Sequence, residues 1–190
     1  MSTTKQVKQE LGKGIKIKEE LMVNMKNKEE RLISEFYELK VNQLMNNKMW
    51  DLPLIQKDEP ISYALSILDG KSHVWVVNDL KEKELVGVIT RHDVLQILAP
   101  PRTHYSMFTF PKSYFHGTKG KIEDIMTKDP IICKPDDRIV DVLQKMVRHG
   151  IRRVAVVIDS KLVGEITLRH LICKYYKASQ YHPIVDDDLR

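Results

Sequence analysis

Four groups of residues in this 190-residue chain have the types and spacing to do chemistry. Thr90-Arg91-His92-Asp93 sets a carboxylate three positions after a hydroxyl, at the start of a run with helical character. That spacing suits a helix cap in which an acidic third residue reaches back to the N-cap. A carboxylate is also able to make charge-assisted hydrogen bonds to the hydroxyls of a ligand. Arg152-Arg153 offers two guanidiniums, either matched to phosphate oxygens or solvating the entrance of a strand. His73 titrates near neutrality when unperturbed. His170-x-x-Cys173, with His182 beyond it, has ligand types but one short spacing, so no metal site is expected. There is no Walker loop, Gly-x-Gly-x-x-Gly or Gly-x-Ser-x-Gly, and no catalytic residue is expected.

The elements that must position these residues are written twice. Val86-Gly87-Val88-Ile89-Thr90 recurs as Val163-Gly164-Glu165-Ile166-Thr167, seventy-seven residues on. Val74-Trp75-Val76-Val77 pairs with Val154-Ala155-Val156-Val157 at an offset of eighty, and Pro53-Leu54-Ile55 with Pro130-Ile131-Ile132 at seventy-seven. Two such units, each too small to bury a core of its own, pack as a pair. The first reads as an extended Leu54-Ile55, a helix from Ile61 to Leu68, strands Val74 to Val77 and Leu85 to Ile89, and a helix after Thr90. The second reads as Ile131-Ile132, a helix from Ile139 to Arg148, strands Val154 to Ile158 and Leu162 to Ile166, and a helix after Thr167. The expectation is an α/β (α+β) fold of tandem β-α-β-β-α repeats stacked with pseudo-two-fold symmetry.

Around the repeats lie a charged amphipathic helical segment (1–40), a linker rich in proline and aromatics (99–120) and an acidic tail (178–190). The repeats themselves take 41–98 and 121–177. Leu21, Met25, Leu32, Phe36 and Leu39 form a helical apolar stripe that either covers the following domain or meets a partner protein. Residues 1–14 are expected to be frayed. Hydrophobic residues make up 42% of the chain and there are two cysteines, too few for a disulfide framework. No signal peptide or membrane span is legible, which points to a cytoplasmic protein without membrane contact. The net charge of +5 is mainly a statement about solubility.

The run from Gly150-Ile151-Arg152-Arg153 through Val154-Ala155-Val156-Val157 to Val163-Gly164-Glu165-Ile166-Thr167 resembles the cystathionine-β-synthase (CBS) domain. So does the run from Gly70-Lys71-Ser72-His73 through Val74-Trp75-Val76-Val77 to Thr90-Arg91-His92-Asp93. The resemblance implies a stand-alone Bateman module with two symmetry-related clefts for an adenosine derivative: AMP, ADP or ATP, or S-adenosylmethionine. No cofactor is required. The resemblance assigns the ribose acid to Asp93 and a phosphate-side hydroxyl to Thr90. It places Thr127, Ile132 and Ile151 near the base, and Ser72, His73, Arg152 and Arg153 near phosphates. Thr167 matches Thr90 in the second copy, but His170 stands where the ribose acid belongs, so the second cleft is expected to be weak, empty or adapted to another group. Trp75, bulkier than the residue usual there, either joins the core or narrows the first cleft.

These features point to a regulatory nucleotide sensor that is not an enzyme and that forms a homodimer. Two other classes compete with it. A nucleic-acid-binding protein would use the N-terminal helix and Arg152-Arg153, but residues 1–48 balance ten Lys or Arg against seven Glu. A structural assembly module would carry vestigial clefts.

Overall fold

The computed structural model describes residues 23–24, 26–28, 30–98 and 120–180. Leu21, Met25, most of the aromatic linker, His182 and the acidic tail beyond residue 180 lie outside the described residues. Helix α1 (30–38) leads into a 3-10 turn at Val41–Gln43. The first repeat then runs β1 (Leu54–Gln56), α2 (Ile61–Gly70), β2 (His73–Val77), β3 (Leu85–Thr90) and α3 (Arg91–Leu98). A second 3-10 turn (Ile122–Asp124) and the short β4 (Thr127–Lys128) precede β5 (Ile132–Cys133), α4 (Ile139–His149), β6 (Arg153–Ile158), β7 (Lys161–Thr167) and α5 (Leu168–Ser179).

Two sheets result, β1-β2-β3-β4 and β5-β6-β7. In each, the first strand is parallel to the second through a helical crossover, and the second and third form an antiparallel hairpin. The hairpins shift register at matching places, Val76/Val77 and Val156/Val157. Residues 78–84 intervene between the paired Val77 and Leu85, and 158–161 between Val157 and Leu162, which accounts for the change of offset from eighty to seventy-seven.

Each sheet buries its helices on one face. Ile55, Ala64, Val74, Val76 and Ile89 form the first core, and Ile139, Val142, Val154, Val156 and Ile166 the second. The other faces meet in a seam of Trp75, Ala155, Val157, Leu162 and Leu52. Such continuously apolar strands, buried on both faces, explain why β2 and β6 read as unbroken apolar runs rather than alternating ones. Backbone hydrogen bonds close the seam, from Leu85 N–H to Ser160 O at 3.0 Å and Leu162 N–H to Lys83 O at 2.9 Å. Phe36 is buried in the second core with Leu32 and Leu39 packed beside it, so this part of the stripe covers the second repeat.

The segments that lead into the two repeats are exchanged. Residues 40–46 dock on the second sheet, with Val41 N–H bonded to Asp137 O and Asn46 exchanging two backbone hydrogen bonds with Glu165. Residues 120–128 dock on the first, Ile122 N–H bonding Glu59 O and β4 pairing with β3. This exchange explains the glycine shared by both copies of the repeat. A Cβ on Gly164 would lie 2.7 Å from Asn46 O, and one on Gly87 would lie 2.6 Å from Met126 Sδ and 3.0 Å from Thr127 O. Only hydrogen on Cα lets the exchanged segment approach so closely.

Candidate ligand clefts

Two clefts open where the sheets meet, at matching ends of the hairpins. The first, about 890 Å³, brings together Ser72, Thr90, Asp93, Thr127, Ile151, Arg152 and Arg153, with Trp75 and Val88 as apolar wall. Asp93 sits in the first turn of α3 and accepts from both the Thr90 N–H and the Thr90 hydroxyl through Oδ2, each at 2.7 Å. The His92 N–H donates to Thr90 Oγ1 at 3.2 Å. Here is the reciprocal cap that the spacing allows. Among the described residues the other oxygen, Oδ1, takes only a long bond from Thr127 Oγ1 at 3.4 Å and so keeps capacity to accept. Arg91 fixes the start of α3 by donating to Leu68 O and Asp69 O, each at 3.1 Å.

The second cleft, about 460 Å³, is lined by Asn46, Pro53, Lys71, Glu165, Thr167, Arg169 and His170, and shares Ser72, Arg152 and Arg153 with the first. Thr167 caps α5 by accepting the His170 N–H at 3.3 Å. Behind it lies a polar cluster. Glu165 Oε2 accepts from His73 Nε2 at 2.7 Å and from the Trp75 indole N–H at 2.9 Å, and the His73 ring stands edge-on to Trp75 with centroids 5.1 Å apart. Burial pushes the Glu165 carboxyl upward, but the hydrogen bond and charge of His73, with Trp75 and His170, outweigh it and hold the carboxyl below its ordinary 4.5. Burial lowers the His170 pKa from 6.5, with Glu165 opposing and Arg169 adding to the shift. Burial also lowers that of Arg153, again against the pull of Glu165.

Two expected residues lie elsewhere than the sequence suggested. Ile132 is 44% exposed and outside both clefts, and Ile131 lines the first in its place. Ile132 pairs with Ala155 as Leu54 pairs with Trp75, so the repeats superpose here at an offset one residue longer than the Pro-Leu-Ile alignment implied. A slip of one residue in a strand exchanges its faces. His73 is buried and lines the second cleft rather than the first, held there by Glu165. Trp75 does both things expected of it, being 1% exposed in the seam and forming part of the first wall. Glu165 was missed, although a signal existed: a carboxylate occupies the place of Val88 in an otherwise apolar strand, and a buried charge needs a partner. Cys133, pushed up to about 12 mainly by burial, is no nucleophile. Among the described residues no three metal-ligating side chains converge.

The CBS domain family matches residues 41–100 and 122–177. The chain belongs to the CBS domain family. This CBS pair is 35% identical to an uncharacterised protein of Methanocaldococcus jannaschii over 92 residues, 48% of this chain and 27% of that protein. A second uncharacterised protein of the same organism is 29% identical over 77% of this chain and 92% of its own length. The inosine-5′-monophosphate dehydrogenase of that organism is 28% identical over 64% of this chain, which spans 21% of the enzyme. Thus the pair matches nearly all of one relative and only a minor part of others. Among solved structures, CBSX2 in complex with AMP has a TM-score of 0.59 at 22% identity, covering 73% of this chain and 96% of that one. The CBS domain of the bacterial CNNM/CorC family Mg2+ transporter in complex with ATP has a TM-score of 0.60 at 17% identity, covering 83% and 99%. At these identities the likeness concerns the fold. No helix among the described residues is long and apolar enough to cross a membrane.

Proposed function

We propose that this CBS pair is a regulatory module that binds an adenine nucleotide in the Asp93 cleft and performs no catalysis of its own. One observation carries the reading: Asp93 satisfies its helix cap through Oδ2, while Oδ1 takes a single long bond from Thr127 and so has capacity for a ribose hydroxyl, in the same cleft as the paired arginines. Ser72, Thr90, Arg152 and Arg153 supply phosphate contacts, and Thr127 and Ile151 flank the base. The AMP and ATP bound by the two structural neighbours named above support this choice of ligand. Binding alters the state of a partner only to the extent that the nucleotide prefers one state. Leu95 and Leu98 on α3, with Ile172 and Tyr176 on α5, expose apolar surface suited to a second copy of the chain.

Calorimetric titration with AMP and ATP tests the site. Asp93→Ala removes a charge-assisted acceptor, at about 1.5–3 kcal/mol for each hydrogen bond lost, so affinity should fall by about tenfold or more. If the variant, shown to be folded, binds both nucleotides as well as the parent does, Asp93 serves as a cap alone and the ribose assignment fails. Light scattering that finds only a 22.2 kDa species at micromolar concentration removes the dimer.

A further inference from the structure

A groove of about 420 Å³ runs along α5. One wall is the helical stripe Leu168, Leu171, Ile172, Tyr175, Tyr176 and Ser179, and Phe36 of α1 and Leu143 of α4 bound it on the other sides. Phe36 and Tyr175 meet edge to face, with ring centroids 5.5 Å apart. The Ser179 hydroxyl already donates to Tyr176 O at 2.8 Å, so the lining calls for an apolar occupant. Ile172 is 59% and Tyr176 63% exposed, and apolar side chains massed in this way usually have something to cover them. We propose that the occupant is the chain's own continuation, Tyr181-His182-Pro183-Ile184-Val185, folded back along α5 with Ile184 and Val185 in the groove.

Length and charge both favour this occupant. The groove starts at Ser179 in the last turn of α5, beside the point where the chain leaves the helix. Pro183 cannot continue a helix and biases His182 toward extended backbone. From Ser179 back to Leu168 the helix rises about 16 Å, at about 1.5 Å per residue. With the reversal made over 180–182, Pro183 to Val185 cover about 10 Å at about 3.3 Å each, which sets Ile184 and Val185 against Tyr176, Tyr175 and Ile172. Asp186, Asp187 and Asp188 come next and reach the Leu168 end. There stands Arg169, exposed and without a carboxylate in salt-bridge distance among the described residues. An exposed pair of this kind adds little affinity but fixes direction and register. The apolar part of the segment thus meets the apolar groove, and its acidic part meets the guanidinium. The proposal does not depend on the nucleotide reading, and it narrows the face left for a second copy to Leu95 and Leu98 on α3.

NMR of the full chain, labelled at isoleucine and valine methyl groups, tests the proposal without any substitution. The methyls of Ile184 and Val185 should show nuclear Overhauser contacts to the rings of Phe36, Tyr175 or Tyr176, and these should persist on dilution. Ile184→Asp with Val185→Asp should empty the groove, shift the Ile172 methyl resonance and raise the fluorescence of the apolar dye ANS severalfold. Arg169→Glu should weaken the parent's contacts by setting like charges together, and added salt should weaken them less. No contact from either methyl to these rings overturns the proposal. Contacts found only between differently labelled copies place a second copy in the groove and overturn it as well, as does equal dye fluorescence in the parent and the double variant. Contacts indifferent to both Arg169→Glu and salt overturn the direction assigned to the segment.

Discussion

The two clefts share a backbone and differ in what stands on it. Equivalent strands place Val88 in one and Glu165 in the other, while Thr127 answers to Asn46, Ile131 to Pro53 and Asp93 to His170. The first is wide, with an apolar wall and a carboxylate at its helix. The second is half the volume, with a buried carboxylate in its depth and a histidine at its helix. The repeat supplied two equivalent clefts, and a few substitutions made them chemically unlike. Trp75 joins them, its ring in the wall of one and its indole N–H bonded to the carboxylate of the other.

Trp75 is accordingly where the contrast can be broken most forcefully. Trp75→Ala should cost about 3–5 kcal/mol of stability, as for other large core truncations. Trp75→Phe keeps most of the ring but deprives Glu165 of a donor, at about 1–3 kcal/mol. Urea unfolding measures both. If Trp75→Phe costs nothing, the bond to Glu165 is incidental and the clefts are joined by packing alone.

The glycines sharpen the comparison next. Gly164→Ala sets a methyl against a backbone oxygen, and Gly87→Ala sets it first against the flexible end of Met126. Overpacking of this kind costs about 1–3 kcal/mol, with Gly164 expected near the top of the range. Equal denaturation midpoints for the two variants would show that the exchanged segments are held with equal rigidity.

Loss of caps should separate the two helices. Asp93→Ala forfeits two bonds of 2.7 Å at the start of α3, and Thr167→Ala a single one of 3.3 Å at the start of α5. Both effects should lie near 1 kcal/mol, with Asp93 the larger, as read by thermal unfolding in the absence of ligand.

The smallest effect is acid sensitivity. The His170 pKa lies below 6.5 in the folded chain, so the unfolded chain binds more protons as pH falls through 6.5, and stability is lost toward the folded value. Glu165, held below 4.5, contributes stability above that pH and loses it as pH falls through its folded value. Both shifts act in one direction. Unfolding measured at pH 7 and at pH 5.5 should show a smaller drop for His170→Asn than for the parent, and an unchanged drop would remove His170 from the account.

Periodicity and the repeated Val-Gly-x-Ile-Thr were enough to read two β-α-β-β-α units, their order and the helix starts at Thr90 and Thr167, because each depends on residues close together in the chain. Those signals report which positions are buried and say nothing of what buries them. The unbroken apolar run Pro130-Ile131-Ile132-Cys133 offers no alternation, so the face of β5 followed from its pairing with Ala155 and Val156 across the sheet. Sequence left His73 open between a phosphate contact, a structural histidine and an exposed one, and a carboxylate 92 positions away, 2.7 Å from its ring, decided for the buried, structural reading. The exchange of lead-in segments was hidden for the same reason: the partners of Asn46 and Thr127 lie in the other half of the molecule. Local pattern thus determined the elements, and tertiary contact alone decided which face of each element met which cleft, since partner choice is set by packing between residues distant in sequence.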